Sequence, residues 1–310
     1  MNATGVNATG AVDESIEARL SQVLDRDVVT ARSLGGQHGV SHYRLELGDG
    51  TMAFAKVHDT LNDRNGVAGR AAGTEAAAGF AAEAAGLRWL AAASAVPVPA
   101  VFGYNASCLI VEWVDASGPD PEAAVQFGRD LATLHKAGSE GFGAPWPGVI
   151  AGLELPNDPA DNWADWYAAN RVLPYARRGR DAGTLTNADV ALIESACARA
   201  VEVAGPAEPP SRIHGDCWSG NVLWSGGRAW LIDPAAHGGH RETDLAMLAL
   251  FGAPFLDRIM AAYQDAAPLA DGWRARVSLH QLHPLVVHVC LFGSAYRDAA
   301  LSAARRVLTA

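Results

Sequence analysis

The stretch from Ile213 to Phe251 constrains this 310-residue chain more than any other. It opens on a His-Gly-Asp tripeptide at 214–216, continues through Asn221 and reaches Asp233 after short apolar runs. Residues 222–232 place two such runs around a Ser-Gly-Gly turn, which predicts a β-hairpin. A hairpin here would bring Asn221, at its start, close to Asp233, at its end.

This order of residues suits phosphoryl transfer. Asp216 and Asn221 have the H-x-D-x-x-x-x-N spacing of a catalytic loop, and Asp233 stands where an acidic metal ligand follows a later strand. A carboxylate at 216 can accept the proton of a hydroxyl, and the oxygens of Asn221 and Asp233 suit Mg²⁺. The alternative is a polar surface hairpin in which His214 and Asp216 are turn residues. H-x-D alone would favour that alternative, whereas the full order favours catalysis.

Composition limits the class of protein and its partners. The chain is 49% hydrophobic and 19% charged, which is typical of a globular protein of one large domain or two lobes. A formal net charge of −10 argues against nucleic acid or an anionic membrane as a general partner. The four cysteines lack a metal-like or paired spacing, and neither a signal-type segment nor a transmembrane-length apolar run occurs. We therefore expect a cytoplasmic protein.

The first half of the chain predicts a small β-sheet. Val28 to Leu34 predicts a strand that leads into a loop with Gly35, Gly36 and Gly39, whose amides could approach phosphates closely. An ordinary hairpin loop explains these glycines equally well without the downstream motif. Lys56 ends a later strand with alternating apolar residues, as does the lysine that reaches the α- and β-phosphates of a nucleotide. A solvated edge lysine is the alternative.

Further elements are predicted on either side of a hinge. Residues 59–79 predict a mobile loop, and a helix is expected to open at Phe80. Residues 108–114 predict a buried strand that runs into a polar segment, as expected of a hinge whose backbone contacts adenine. The second half predicts helices over 123–136 and 188–204 and one long helix that carries three histidines. Those histidines, and the aromatic residues near 163–167, are interpreted mainly as packing residues rather than a metal site.

Three strings carry a more specific resemblance. HGDCWSGNVLW, LIDPA and GHRETDLAMLALFG resemble the fructosamine kinase (ketosamine-3-kinase) family, and the likeness runs from Ser33 to the end with 59–79 as its main gap. The tryptophan after Asp216 and the GHRExDLAM run separate this family from aminoglycoside kinases. Cys217 and Thr243 depart from the usual leucine and alanine without touching the chemistry.

The resemblance implies an α+β, bilobal, protein-kinase-like fold. Residues 1–114 would form an N-lobe of a small β-sheet and one helix, and residues 115–310 a larger, mainly helical C-lobe. The implied activity is ATP-dependent phosphorylation at O3 of a ketosamine, such as a fructosamine or ribulosamine, on a free amine or a glycated protein. The unstable 3-phosphate would then release the amine, which is deglycation. A kinase of another small alcohol or aminoglycoside, and a nucleotide-binding pseudokinase, are the alternatives.

The same resemblance assigns roles within the site. Asp216 would be the base, His214 would brace the catalytic loop, and Asn221 and Asp233 would hold Mg²⁺. Glu83 would pair with Lys56, with Glu75 as its rival. Trp218 would stack on the acceptor sugar or fill the core. Independently of the resemblance, the position of Asp244 at the start of a helix near Thr243 predicts that it satisfies free N–H groups there. The remaining assigned residues are the nucleotide contacts Gly35, Gly36, Gly39, Lys56, Glu112, Trp113 and Val114, and the acceptor contact His237.

Overall fold

The computed structural model of the chain describes residues 15–37, 39–58, 69–158, 160 and 162–310, and of residues 69–78 only the backbone. Ser15 caps the first helix by accepting a hydrogen bond from the Ala18 amide, as expected for a serine at that position. The predicted fraying of residues 1–12 and residues 59–68 of the predicted 59–79 loop lie outside the described residues.

An antiparallel five-stranded sheet, ordered β1-β2-β3-β5-β4, occupies the first part of the chain. The strands are β1 (Val28–Gln37), β2 (Val40–Leu47), β3 (Met52–His58), β4 (Val101–Tyr104) and β5 (Cys108–Glu112). Residues 53, 55 and 57 of β3 are buried against helix α1 (Ile16–Leu24), so Lys56 points to the opposite face.

Helix α2 (Gly69–Ala91) covers that opposite face. It begins at Gly69 rather than at the predicted Phe80, because an Ala-rich segment of high helix propensity continues the helix backwards. The mobile-loop prediction is therefore wrong for residues 69–79. Phe80 and Leu87 are buried against the sheet and flank Glu83 at helical spacing, which turns Glu83 towards β3.

The second part of the chain is mainly helical and carries three two-stranded sheets. Their strands are β6 (Gly148–Ile150) with β7 (Leu153–Leu155), β8 (Ser211–Ile213) with β11 (His237–Gly239), and β9 (Val222–Ser225) with β10 (Arg228–Leu231). The helices are α3 (Pro121–Lys136), α4 (Trp163–Tyr167), α5 (Leu173–Asp181), α6 (Asn187–Val203), α7 (Glu242–Phe251), α8 (Leu256–Ala266), α9 (Trp273–His280), α10 (Leu282–Phe292) and α11 (Arg297–Thr309).

The predicted long histidine-bearing helix is divided into α9 and α10, so that prediction is wrong. Pro284 lies in the first turn of α10, where it cannot donate to the carbonyl four residues earlier and crowds it. Of the three histidines, His280 and His283 are buried, as expected for packing residues. Trp163, Trp166 and Tyr167 are also buried, which agrees with their predicted packing role.

Two apolar cores support the second part. One packs α3 and α8 against the β9–β10 hairpin, and the other packs α4, α5, α6, α10 and α11 together. No helix of the described residues is long and apolar enough to cross a membrane. The division into lobes at 114/115 stays a prediction, although the sheet ends at Glu112 and the helical part follows.

Candidate active site

The predicted hairpin forms as expected. β9 and β10 pair antiparallel from Val222 opposite Leu231 to Ser225 opposite Arg228, and both turn glycines have positive φ. The Ile232 amide donates to the Asn221 carbonyl at 3.0 Å, which extends the hairpin by one step. Asn221 and Asp233 therefore lie at the same open end.

Asp216 lies beside Asn221 at this open end. The Asn221 amide Nδ2 donates to the Asp216 side chain and to its main-chain carbonyl, both at 2.9 Å. Burial raises the pKa of Asp216 to about 7, an effect that Asn221 opposes and the Asp233 charge reinforces. A carboxylate with a pKa near neutrality suits proton transfer from a hydroxyl.

His214 links the two carboxylate-bearing segments. Its Nε2 lies 2.9 Å from the Ile232 carbonyl, and its Nδ1 lies 3.3 Å from the Asp216 amide. These contacts require Nε2–H as donor and Nδ1 as acceptor, which is the neutral ring. Burial lowers the pKa of His214 and favours that form. The predicted bracing contacts of His214 are thus present.

Asp244 anchors the catalytic loop from beneath, which sequence reasoning missed. Its side chain accepts from the His214 amide at 2.7 Å and the Gly215 amide at 2.9 Å, and lies 3.1 Å from His135 Nε2. Burial alone would raise the pKa of Asp244, but the hydrogen bond and charge of His135 help to lower it. Its predicted role as a helix cap is wrong, because it lies within α7 and its oxygens face the loop.

Lys56 joins the sheet to this site. Its Nζ lies 2.9 Å from both oxygens of Glu83 and 2.6 Å from Asp233 Oδ1. Burial raises the pKa of Glu83 to about 7 against the opposing effect of the ammonium. Asp233 has a φ of 52°, rare for a residue with a side chain, and this backbone conformation is the kind found at functional sites. The rival Glu75 has a side chain outside the described set.

One cleft of about 650 Å³ is lined by Lys56, Glu83, Asp216, Asn221 and Asp233. Trp218 also lines it and is 38% exposed, so it is not a core residue. Its ring stands edge-on to Phe251 at 5.8 Å, and Phe251 lies 5.1 Å from His288. The structure thus leaves the indole able to stack on an acceptor.

Other predicted site residues lie elsewhere. His237 is buried with its Nδ1 2.7 Å from the Ala235 carbonyl and its Nε2 near Arg171, outside the residues that line the cleft. Its contact with the acceptor stays a prediction. Burial lowers its pKa well below the usual range. The sequence around His237 gave no signal of this burial, because the burial depends on the pairing of β11 with residues 211–213 of β8.

The glycine segment is part of a hairpin rather than a loop. Gly35 and Gly36 belong to β1, and pairing continues to Gln37 opposite Val40 at the tip. A side chain at Gly36 would collide with the Val40 carbonyl, so this close pairing requires glycine. Gln37 and Val40, at the tip of this hairpin, line the cleft. Binding of phosphate by the backbone amides of the tip stays a prediction.

The predicted hinge residues lie at the end of β5 but do not line this cleft. The amides of Glu112 and Trp113 donate to the carbonyls of Ala100 and Met52, at 2.8 Å and 3.3 Å. The Trp113 ring lies 4.7 Å from the Arg44 guanidinium. Their contact with adenine, and that of Val114, stays a prediction.

A second cluster in the described residues resembles a metal site. His240, Glu242 and His280 place potential ligand atoms within 4.8 Å of one another. Arg276, however, donates to both oxygens of Glu242 at 2.6 Å and 2.9 Å. A guanidinium in this position already neutralises the carboxylate and occupies the place of a cation.

A sheet that carries an ion-paired lysine, facing a loop with a base, an amide and a second carboxylate, defines a phosphotransferase of the protein-kinase-like fold. The family model for fructosamine kinases matches residues 52–310. The chain therefore belongs to the fructosamine kinase family.

Known proteins agree with this assignment. A crystal structure from Thermobifida fusca YX-ER1, provisionally named a fructosamine-3-kinase, is 50% identical, with a TM-score of 0.87 over 96% of this chain and 99% of that one. A Synechocystis protein, provisionally named a ketoamine kinase, is 33% identical over 71% of this chain and 76% of its own length. The Arabidopsis thaliana chloroplastic protein-ribulosamine 3-kinase is 32% identical over 63% of this chain and 60% of its own.

Proposed function

We propose that this chain is an ATP-dependent kinase that phosphorylates O3 of ketosamines, such as fructosamines or ribulosamines, on free amines or glycated proteins. The observation that carries the proposal is that Asp216, hydrogen-bonded to Asn221, lies in one cleft with Trp218, Lys56 and Asp233. Family membership supplies the acceptor class, and the names of the relatives support it.

Asp216 acts as the general base. The acceptor oxygen forms a bond to the γ-phosphorus of ATP as the bond to the ADP oxygen breaks, and the hydroxyl proton passes to the Asp216 carboxylate. Asn221 fixes the carboxylate through its hydrogen bond of 2.9 Å, and His214 and Asp244 hold the loop that carries it. Lys56, held by Glu83, contacts the phosphates of the nucleotide.

The residues present fit a magnesium ion. Because Asn221 uses its Nδ2 to donate to Asp216, its Oδ1 is left to act as a metal ligand. Asp233 offers a carboxylate that is 44% exposed in its side chain, and both are the hard oxygen ligands that Mg²⁺ prefers. When bound, the ion would neutralise charge on the transferred phosphate.

The 3-phosphate formed in this way is unstable and releases the amine, so the proposed role is deglycation. We place the reaction in the cytoplasm, in keeping with four cysteines that are all free thiols. Burial raises the pKa of Cys217, next to the base, well above its usual value and keeps it an unreactive thiol.

The lining of the cleft favours a ketosamine over the alternatives. Polycationic aminoglycosides would be expected to bind an acidic groove. The carboxylates among the described lining residues, namely Glu83, Asp216 and Asp233, all belong to the phosphate end. A pseudokinase would not need Asp216, Asn221 and Lys56 together, so their joint presence favours an active enzyme.

A panel assay tests the proposal. ADP release is measured with Mg²⁺–ATP and a series of fructosamines, ribulosamines, aminoglycosides and choline. The proposal predicts turnover with the ketosamines at a kcat/KM at least tenfold above every other acceptor. Turnover confined to an aminoglycoside or choline would overturn the acceptor assignment, and no turnover with any acceptor would favour the pseudokinase.

A further inference from the structure

An aromatic row leads from the base to the mouth of the cleft. Trp218 contacts Phe251, Phe251 contacts His288, and His288 contacts Phe292, with ring centroids 5.8, 5.1 and 5.3 Å apart. Trp218, His288 and Phe292 line the cleft together with Asp216, and Phe251, which is not a lining residue, joins Trp218 to His288. The far end, Phe292, is 51% exposed and lines the cleft.

Phe292 packs against two neighbouring rings, His288 and Tyr296, although it is exposed. It is the last residue of α10, and Gly293, with a φ of 69°, turns the chain into the short 3₁₀ segment Gly293–Tyr296. The Tyr296 ring then packs on Phe292 at 5.7 Å. An exposed ring that is fixed by its neighbours loses little conformational freedom on contact with a ligand.

The mouth around Phe292 is apolar. Val287 and Leu291 of α10 line the cleft beside Phe292, and Val149 and Ala151 of the β6–β7 hairpin also belong to the lining. Among the described residues that line this cleft, the carboxylates and the lysine lie on β3, on α2 and in the segments that carry Asp216 and Asp233, and none lies on α10. A charged group beside Phe292 would therefore find no partner of opposite charge among the lining residues of α10.

We infer that Phe292 is a specificity-determining residue that contacts the substituent on the acceptor's amine, so that the enzyme favours ketosamines of apolar or aromatic amines. This inference rests on the proposed function. With O3 of the sugar at Asp216 and the sugar ring beside Trp218, the amine substituent extends along the row towards the mouth. An apolar substituent gains contact with Phe292, whereas a small or charged one does not.

The test compares fructosyl adducts of methylamine, benzylamine and β-alanine. For the wild-type enzyme we expect kcat/KM for the benzylamine adduct to exceed the other two by about tenfold. Phe292→Ala should lower kcat/KM for the benzylamine adduct by about tenfold and leave the methylamine adduct within twofold. Phe255→Ala is the matched control, because Phe255 is similarly exposed but does not line the cleft.

The outcomes separate this inference from the function on which it rests. Equal kcat/KM for the three adducts with wild-type enzyme would overturn the inference and leave ketosamine kinase activity in place. The inference would also be overturned if Phe292→Ala, shown by thermal melting to be folded, kept the preference for the benzylamine adduct or lowered kcat/KM equally for all three adducts. Absence of ADP release with all three adducts would overturn both.

Discussion

Lys56 Nζ lies 2.6 Å from Asp233 Oδ1 and 2.9 Å from both oxygens of Glu83. One ammonium group from the sheet is therefore shared by a carboxylate on α2 and a carboxylate that follows β10. Gly86 of α2 lets that helix approach the segment after Asp233, since an added Cβ would lie 3.2 Å from Ala236 Cβ. The contact connects nucleotide binding by the sheet to the catalytic hairpin.

Replacing either partner of this contact should affect nucleotide binding differently. Asp233→Ala should abolish the gain in ATP affinity that Mg²⁺ confers, because a metal ligand is lost. Lys56→Ala should weaken ATP binding even without Mg²⁺, because a phosphate contact is lost. Calorimetry with and without Mg²⁺ separates the two, and Lys136→Ala, the exposed lysine at the end of α3, is the control. Identical profiles for both variants would contradict these roles.

Asp244→Ala should destabilise the protein and disorder the catalytic loop. The change leaves the His214 and Gly215 amides without their buried acceptor and removes the partner of His135, at a cost of about 3 kcal/mol or more in the free energy of unfolding. Urea unfolding measures this loss. Asp257→Ala, an exposed aspartate in the first turn of α8, should change stability by only about 0.5 kcal/mol. Comparable losses in the two variants would refute the anchoring role.

Each buried histidine should contribute a loss of stability below pH 6.5. Burial, aided by His280, lowers the pKa of His240 to about 3, and burial, aided by Arg171, lowers that of His283 to about 3. Between pH 6.5 and 3 each of these two histidines binds more protons in the unfolded chain than in the folded chain, so each lowers the free energy of unfolding as the pH falls. The loss at pH 5.5 is about 1.4 kcal/mol for each such histidine.

Urea unfolding from pH 8 to pH 5 measures this dependence. His283→Asn is the matched variant, because an asparagine amide can replace the ring Nδ1–H at the Arg171 carbonyl, 2.7 Å away, without titrating. It should reduce the dependence by one histidine's share. The raised pKa values of Asp216 and Glu83 act in the opposite direction over this range, so the test is the difference between the two proteins. An identical pH dependence in the wild-type protein and His283→Asn would contradict the buried neutral state of His283.

Trp218→Ala should raise the acceptor KM about threefold to tenfold and leave the ATP KM nearly unchanged, because an aromatic contact at a partly exposed site contributes about 0.5–1.5 kcal/mol. Trp218→Phe should restore part of the affinity. Since the indole is 38% exposed, neither change should lower the melting temperature greatly. A much lower melting temperature with an unchanged acceptor KM would make the indole a packing residue instead.

The features that could be predicted from the sequence are those that depend on the spacing of nearby residues. The H-x-D-x-x-x-x-N order and the Gly-Gly turn are enough to place Asn221 and Asp233 at one hairpin end. The pairing of Lys56 with Glu83 followed from strand alternation and family likeness. The family itself was recognised from strings in the same region and is confirmed.

What the sequence did not predict depends on segments that meet from distant parts of the chain. The neighbouring sequence predicts that Asp244 caps a helix. Its contacts with residues 214–215 arise only because α7 packs beneath the loop. His237 follows the motif in sequence but is turned inward by the pairing of β11 with β8. The aromatic row to Phe292 likewise joins residues from three separate segments, which no periodicity encodes.

Base-assisted phosphorylation of a ketosamine hydroxyl, with Asp216 as the base, is the central step of the proposed function. The direct measurement is ³¹P NMR of a fructosamine incubated with Mg²⁺–ATP and either wild-type enzyme or Asp216→Asn. We predict a phosphomonoester at O3 with wild-type enzyme, followed by release of the amine. With Asp216→Asn, which can keep its position beside Asn221, we predict unchanged ATP binding and turnover lower by about 10²–10⁴-fold. Phosphate on another hydroxyl, or near-normal turnover by Asp216→Asn, would contradict the account.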